Sequence, residues 1–125
     1  MKTIINTKDA PQPIGPYSQA VKVDKTLFVS GQITTNPATG NLMLDNVHEE
    51  TMQIMRNIGA ILKAAGMDYV NIVKTTIFLT NMNNFSSVNE VYGSFFKGDF
   101  PARETVQVTR LPKDVNIEIS VVAVE

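Results

Sequence analysis

Two stretches late in the chain carry the charges best placed for chemistry. The first is Phe100-Pro101-Ala102-Arg103-Glu104-Thr105-Val106-Gln107-Val108. Pro101 presets its own φ and pushes Phe100 toward extended geometry, so a strand is expected from Arg103 onward. Alternation then puts Arg103, Thr105, Gln107 and Thr109 on one face, with Glu104, Val106 and Val108 on the other. A guanidinium heading a polar strand face is a ready two-pronged receptor for a carboxylate. The second stretch is the last strand, Val115 to Val124. Val115, Ile117, Ile119, Val121 and Ala123 share an apolar face there, opposite Asn116, Glu118 and Ser120. Arg103 and Glu118 can form a salt bridge between adjacent strands, worth little if exposed. They can equally make an anion receptor with a carboxylate beside it. Tyr17, Ser30 and Gly31 are the strand-end and loop groups that complete the candidate site.

Other chemistries find little support. His48 is the only histidine and there is no cysteine, so no metal constellation can be assembled. Ser30 has no evident histidine partner for a triad, and no glycine-rich phosphate loop is present. The formal net charge of -1 provides no basic field for nucleic acid or anionic lipid.

The elements that must hold these residues are legible from period and punctuation. At 125 residues, with 43% hydrophobic and 18% charged residues, the chain is read as one globular domain, residues 1–125. Its first residues turn polar too early for a secretory segment, and no apolar run approaches the roughly 20 residues of a membrane span. A soluble cytoplasmic protein is the expectation. Ile4 and Ile5 suggest a first strand, followed by a proline-rich loop, Ala10 to Pro16, in which Gly15 and Pro16 fix the place of Tyr17. Ser18 to Val23 and Thr26 to Ser30 have hairpin spacing around Asp24-Lys25. Gly31 within a strand pattern indicates a bulge or a close approach. Asn36 to Asn41 is turn chemistry.

From Val47 to Ala65 the period becomes helical, with Asn46 as N-cap, Glu49 and Glu50 at the positive helix end and Gly66 as the stop. Ile72 to Thr80 returns to a strand, with Val73, Thr75, Ile77 and Leu79 on one face. Phe85, Val88, Tyr92, Phe95 and Phe96 make the stripe of a second helix, capped by Asn83 or Asn84, with Gly93 in its interior allowing close packing on the sheet. The order is β-β-β-α-β-α-β-β, which places both helices on one face of a mixed sheet. The other face carries enough branched aliphatics to call for cover by a second subunit.

Gly15-Pro16-Tyr17-Ser18-Gln19, Ser30-Gly31-Gln32, Val73-Lys74-Thr75-Thr76, Val88-Asn89-Glu90-Val91-Tyr92, Phe100-Pro101-Ala102-Arg103, Arg110-Leu111-Pro112-Lys113-Asp114 and Ile117-Glu118-Ile119 together resemble the RidA (YjgF) family. The likeness runs in order through essentially the whole chain. It implies an α+β, chorismate-mutase-like fold, assembled as a homotrimer with clefts between subunits. It also implies hydrolysis of reactive 2-imino (enamine) acids to 2-oxo acids and ammonia, with no cofactor and no metal. By that resemblance Arg103 clamps the substrate carboxylate and Glu118 orients or activates the attacking water. Tyr17, Ser30, the Gly31 amide, Asn89 and Thr105 then line the cleft. The chain departs from the family at Thr105, where many members have cysteine and only a backbone contact carries over. It departs again at Glu104, where a small residue is common; alternation turns Glu104 away from Arg103, so altered packing or pairing is expected there. Two competing functions are a noncatalytic trimeric ligand-binding regulator, which needs Arg103 but not Glu118, and RNA cleavage, which the charge argues against.

Overall fold

Stretches in which β-branched and aromatic residues alternate with polar ones become six strands of a single sheet. The computed structural model describes residues 1–125. The strands are β1 (Lys2–Ile5), β2 (Ala20–Val23), β3 (Thr26–Gln32), β4 (Ile72–Leu79), β5 (Ala102–Gln107) and β6 (Ile117–Val124), in the spatial order β1-β2-β3-β6-β4-β5. Every neighbouring pair is antiparallel except β4 and β5, which run parallel. Helix α1 (Val47–Ala64) connects β3 to β4, and α2 (Phe85–Gly93) connects β4 to β5. The core lies between the helices and one sheet face: Ile54, Ile58, Ile61 and Leu62 of α1 and Val88 of α2 meet Leu27, Ile77, Ile117 and Ile119. The mixed sheet with two helices on one face is thus as expected.

Local signals did what their chemistry requires. The Asn46 side chain accepts from the Glu49 N–H at 2.8 Å, and Gly66 leaves α1 at φ +75°. Asp24 turns the β2–β3 hairpin at φ +52°. The β3–β6 pairing shifts register between Val29 and Gln32, which is the bulge expected at Gly31.

Three expectations need correction. First, β4 pairs with β6 through a shift between Ile72 and Lys74. The strand therefore changes phase: Ile72 is buried and Val73 exposed, while Thr75, Ile77 and Leu79 keep the core side. Second, the asparagine that caps the second helical segment is Asn81. Its side chain accepts from Asn83 N–H at 2.9 Å and opens a 3₁₀ turn, Met82–Asn84, that runs into α2; Asn84 makes no side-chain cap. Third, α2 stops at Gly93, where an added Cβ would meet nothing within 4 Å, so this glycine serves no close packing. Phe95 and Phe96 lie beyond the helix and join Tyr69, Tyr92 and Phe100 in an aromatic cluster with ring centroids 5.0–6.5 Å apart.

The sheet face away from the helices is bare and apolar over much of its width. Ile4 is 51% exposed, Phe28 50% and Val106 40%, with half-buried Val21, Phe78 and Val122 between them. Glu104 points to this side as well, bonded to Lys74 at 2.8 Å and to the Thr76 hydroxyl. Those partners hold its carboxyl below the usual carboxylate range. The departure at position 104 is therefore a matter of surface pairing on the far side of the sheet from Arg103. No helix is long and apolar enough to cross a membrane.

Candidate functional site

Arg103 lies at the head of β5, paired with Thr75 of β4, on the face that α2 covers. The spacing of Phe85, Asn89 and Tyr92 at i, i+4 and i+7 puts all three on one side of α2, and all three meet the guanidinium. Nη1 of Arg103 donates to Asn89 Oδ1 at 2.6 Å. Its Cζ lies 5.5 Å from the Phe85 ring centroid and 5.4 Å from that of Tyr92, within cation–π range. The Tyr92 hydroxyl is itself anchored, donating to Thr75 Oγ1 at 2.8 Å. Burial raises the pKa of Tyr92 and outweighs the lowering by Thr75 and Arg103, so the phenol stays a neutral donor. One N–H of the guanidinium is thus used to orient it, and the rest of the fork remains open. Thr105 Oγ1, two residues along the same face, is buried and has no hydrogen-bond partner.

Glu118 occupies a different place. Its neighbours Ile117 and Ile119 point into the core, so Glu118 projects from the opposite side of β6, in register with Phe78. It lines a cavity of about 640 Å³ together with Tyr17, Gly31, Lys113 and the turn at Asn36 and Gly40. A Cβ added at Gly31 would stand 2.8 Å from Glu118 Cδ and closer still to Oε2. The glycine therefore makes room for the carboxylate, the close approach expected of it. Burial raises the Glu118 pKa above the ordinary carboxylate value.

The loop that carries Tyr17 is held by buried polar groups. Gln19 Nε2 donates to the carbonyls of Thr7, Ala10 and Pro11 at 3.0, 3.2 and 2.9 Å, and its Oε1 accepts from Thr7 N–H at 2.7 Å. Ser30 Oγ donates to the Ser18 carbonyl at 2.6 Å, so its hydroxyl secures the backbone next to Tyr17. Tyr17 itself is exposed at the cavity.

The expected residues thus fall into two groups. Arg103, Asn89 and Thr105 share one surface; Tyr17, Gly31 and Glu118 share another, with Ser30 behind it. A salt bridge between adjacent strands does not form, because β4 lies between β5 and β6 and the two side chains leave opposite faces of the sheet. The period of a strand shows which face a residue takes but not which strands are neighbours. Sequence reasoning gave Phe85 and Tyr92 only a place in the helix stripe, and gave Gln19 and Lys113 no part in the site. The signal for Gln19 was the proline-rich loop, whose carbonyls have no ladder of their own and need a donor from elsewhere.

The family profile described as endoribonuclease L-PSP matches residues 7–125. The chain is 50% identical, over its full length and 91% of the relative's, to the human protein named 2-iminobutanoate/2-iminopropanoate deaminase. The solved YjgF gene product of E. coli is 44% identical, with 98% of each chain covered and a TM-score of 0.95. E. coli TdcF, solved with bound serine, is 43% identical with the same coverage and the same TM-score, 0.95. The chain belongs to this family, the RidA (YjgF) family indicated by its motifs.

Proposed function

We propose that this RidA-family member hydrolyses small 2-imino acids, such as 2-iminobutanoate and 2-iminopropanoate, to 2-oxo acids and ammonia. The observation that carries the proposal is the Arg103 guanidinium, oriented by Asn89, Phe85 and Tyr92 with most of its donors open. It is the shape of receptor an α-carboxylate requires. In the reaction water adds to C2 of the imine while Glu118 accepts one of its protons. That proton passes to the imine nitrogen, giving a tetrahedral adduct with a hydroxyl and an amine on C2. Glu118 then takes the hydroxyl proton and delivers it to the amine, so that the C–N bond breaks and ammonia leaves as the C2 carbonyl forms. The imine carbon is already electrophilic, so much of the acceleration comes from placing it between clamp and water.

The two groups of site residues meet between chains. Three copies arranged as a closed ring, with their bare sheet faces inward, would cover Phe28, Val106 and their neighbours and bring Arg103 of one copy toward Glu118 of the next. Thr105, with its unpartnered hydroxyl, joins the substrate-contacting set in that arrangement, as do Tyr17, Ser30, the Gly31 amide and Asn89. One domain, residues 1–125, is the repeating unit. A cytoplasmic location goes with the proposal, because these imines are released by pyridoxal-phosphate enzymes such as threonine dehydratase.

The test is to generate 2-iminobutanoate from threonine with such a dehydratase and follow loss of the imine signal. Substoichiometric amounts of the protein should accelerate that loss, and an unchanged rate at every protein concentration rejects the activity. A noncatalytic regulator would still bind ligand through Arg103 and would be indifferent to Glu118.

Gly31→Ala should separate geometry from folding. The atoms that clash with the new methyl are the end of the flexible Glu118 side chain, so stability should change little. The carboxylate must move, however, and displacement of a reacting group by about 1 Å can cost on the order of 100-fold in rate. A variant with wild-type melting and wild-type turnover would show that the close approach has no catalytic use.

A further inference from the structure

The aromatic cluster around Tyr69 and the buried carboxylate of Glu50 are features that the proposed reaction does not use, and Glu50 carries an inference furthest. Glu50 is 0% exposed, in the first turn of α1. Its helical neighbour Glu49 is exposed, as a charge at a helix start normally is. Both oxygens of Glu50 are engaged by one residue across the core: Oε1 accepts from the Asn116 backbone N–H at 3.1 Å, and Oε2 from Asn116 Nδ2 at 2.5 Å. No cation bonds to it. A carboxylate taken wholly out of water, without a counter-charge, is costly, so its retention calls for a use.

The place of Asn116 supplies one. It lies just before β6, two residues ahead of Glu118. At this end the sheet has little left to hold the strand. The β4–β6 ladder stops at Leu79 and Ile117, and the β3–β6 ladder, interrupted by the bulge opposite Ser120, ends one pair later at Gln32 and Ile119, so β3 pairs with nothing at Glu118 or before it. Just before Asn116 the chain leaves a tight turn in which Lys113 and Asp114 take φ of +56° and +57°, a conformation non-glycine residues seldom adopt. Where the ladders end, Asn116 is instead held on both sides: its carbonyl accepts from Thr80 N–H at 3.1 Å, and its N–H and side chain are gripped by Glu50.

We infer that Glu50 is a positioning residue for the reaction: through Asn116 it fixes the first turnless residues of β6 and so sets where the Glu118 carboxylate stands. This rests on the hydrolase proposed above. Glu50 touches neither the Arg103 surface nor substrate, so its loss should leave substrate binding alone and slow the chemical step.

The experiment compares Glu50→Met with Glu50→Gln in the full chain, using the imine assay, after wild-type protein has been shown to accelerate imine loss; failure at that first step would reject the activity rather than the role of Glu50. Methionine keeps the volume and removes the acceptors. Glutamine keeps one acceptor, and the Asn116 amide can flip to pair with its NH₂. Glu50→Met should lose kcat on the order of ten-fold with KM within about two-fold of wild type, while Glu50→Gln should stay close to wild type. A Met variant that turns over normally, or a Gln variant as slow as the Met variant, overturns the inference. So does a loss that only tracks the folded fraction measured by circular dichroism. Should Glu50→Met fail to fold, Asn116→Ala, which removes only the side-chain contact, must show a smaller fall in kcat with KM unchanged; an unchanged kcat there overturns the inference as well.

Discussion

Glu118→Gln is expected to abolish most imine hydrolysis and, at neutral pH, to raise the temperature at which the protein unfolds. The first effect follows from losing the proposed general base, a group that typically contributes about 10²–10⁴ in rate. The second follows from what the site imposes on the carboxylate. Burial disfavours the ionised form and raises the Glu118 pKa, and glutamine keeps the shape without the charge. The pH dependence separates the two causes of any stabilisation. Below the pKa of the unfolded chain, Glu118 is neutral in both states and imposes no penalty. As pH rises, the unfolded state ionises first and gains relative to the fold. The penalty is complete once pH exceeds the raised folded-state pKa. The advantage of Glu118→Gln should therefore be absent in acid, grow as the pH rises from the unfolded-state pKa, and level off above the raised folded-state pKa. Wild-type turnover should rise through the upper part of the same range, as the base ionises. Melting curves of both proteins across pH provide the check. An advantage of equal size in acid and at neutrality would mean that the substitution acts through packing and that Glu118 carries no charge-burial penalty.

Such opposed effects on stability and activity are characteristic of residues whose position answers to chemistry and not to folding. They also indicate why some of this protein was legible in its sequence and some was not. Strands and helices followed from local period, and even the bulge at Gly31 was visible as a glycine in a strand. The faces taken by Arg103 and Glu118 followed as well, since alternation is a local property. Their separation did not, because it depends on β4 being inserted between β5 and β6, a pairing of distant segments. Ile72 and Val73 exchanged faces for the same reason: a register shift depends on the partner strand, and nothing at those two residues announces it. Glu50 is the clearest case. At the start of an amphipathic helix a glutamate reads as a solvated charge beside the positive helix end, and only the arrival of Asn116, 66 positions later, makes it a buried clamp. Residues that serve a site through another part of the chain leave little trace in their own neighbourhood.

The separation of Arg103 from Glu118 leads to the other large expected effect. Arg103→Ala would remove the proposed two-pronged contact to the substrate carboxylate. Hydrogen bonds to charged groups contribute about 1.5–3 kcal/mol each, so kcat/KM should fall roughly 10²–10⁴-fold. Arg103→Lys should recover only part of this, since an ammonium reproduces the charge but not the fork or its packing against Phe85 and Tyr92. Glu118→Ala should be comparably inactive for a different reason. If the two residues meet only between chains, the two dead proteins should complement one another. Refolded together in equal amounts, about half the subunits supply an intact Arg103 and about half of their neighbours an intact Glu118. About a quarter of the sites in the mixed rings then contain both. Activity near a quarter of wild type, from two preparations that are each inactive alone, would place the reaction between subunits. A mixture as inactive as its parts, despite mass spectrometry showing that hybrid assemblies had formed, would require both residues to act within one chain. The intersubunit site would then be wrong.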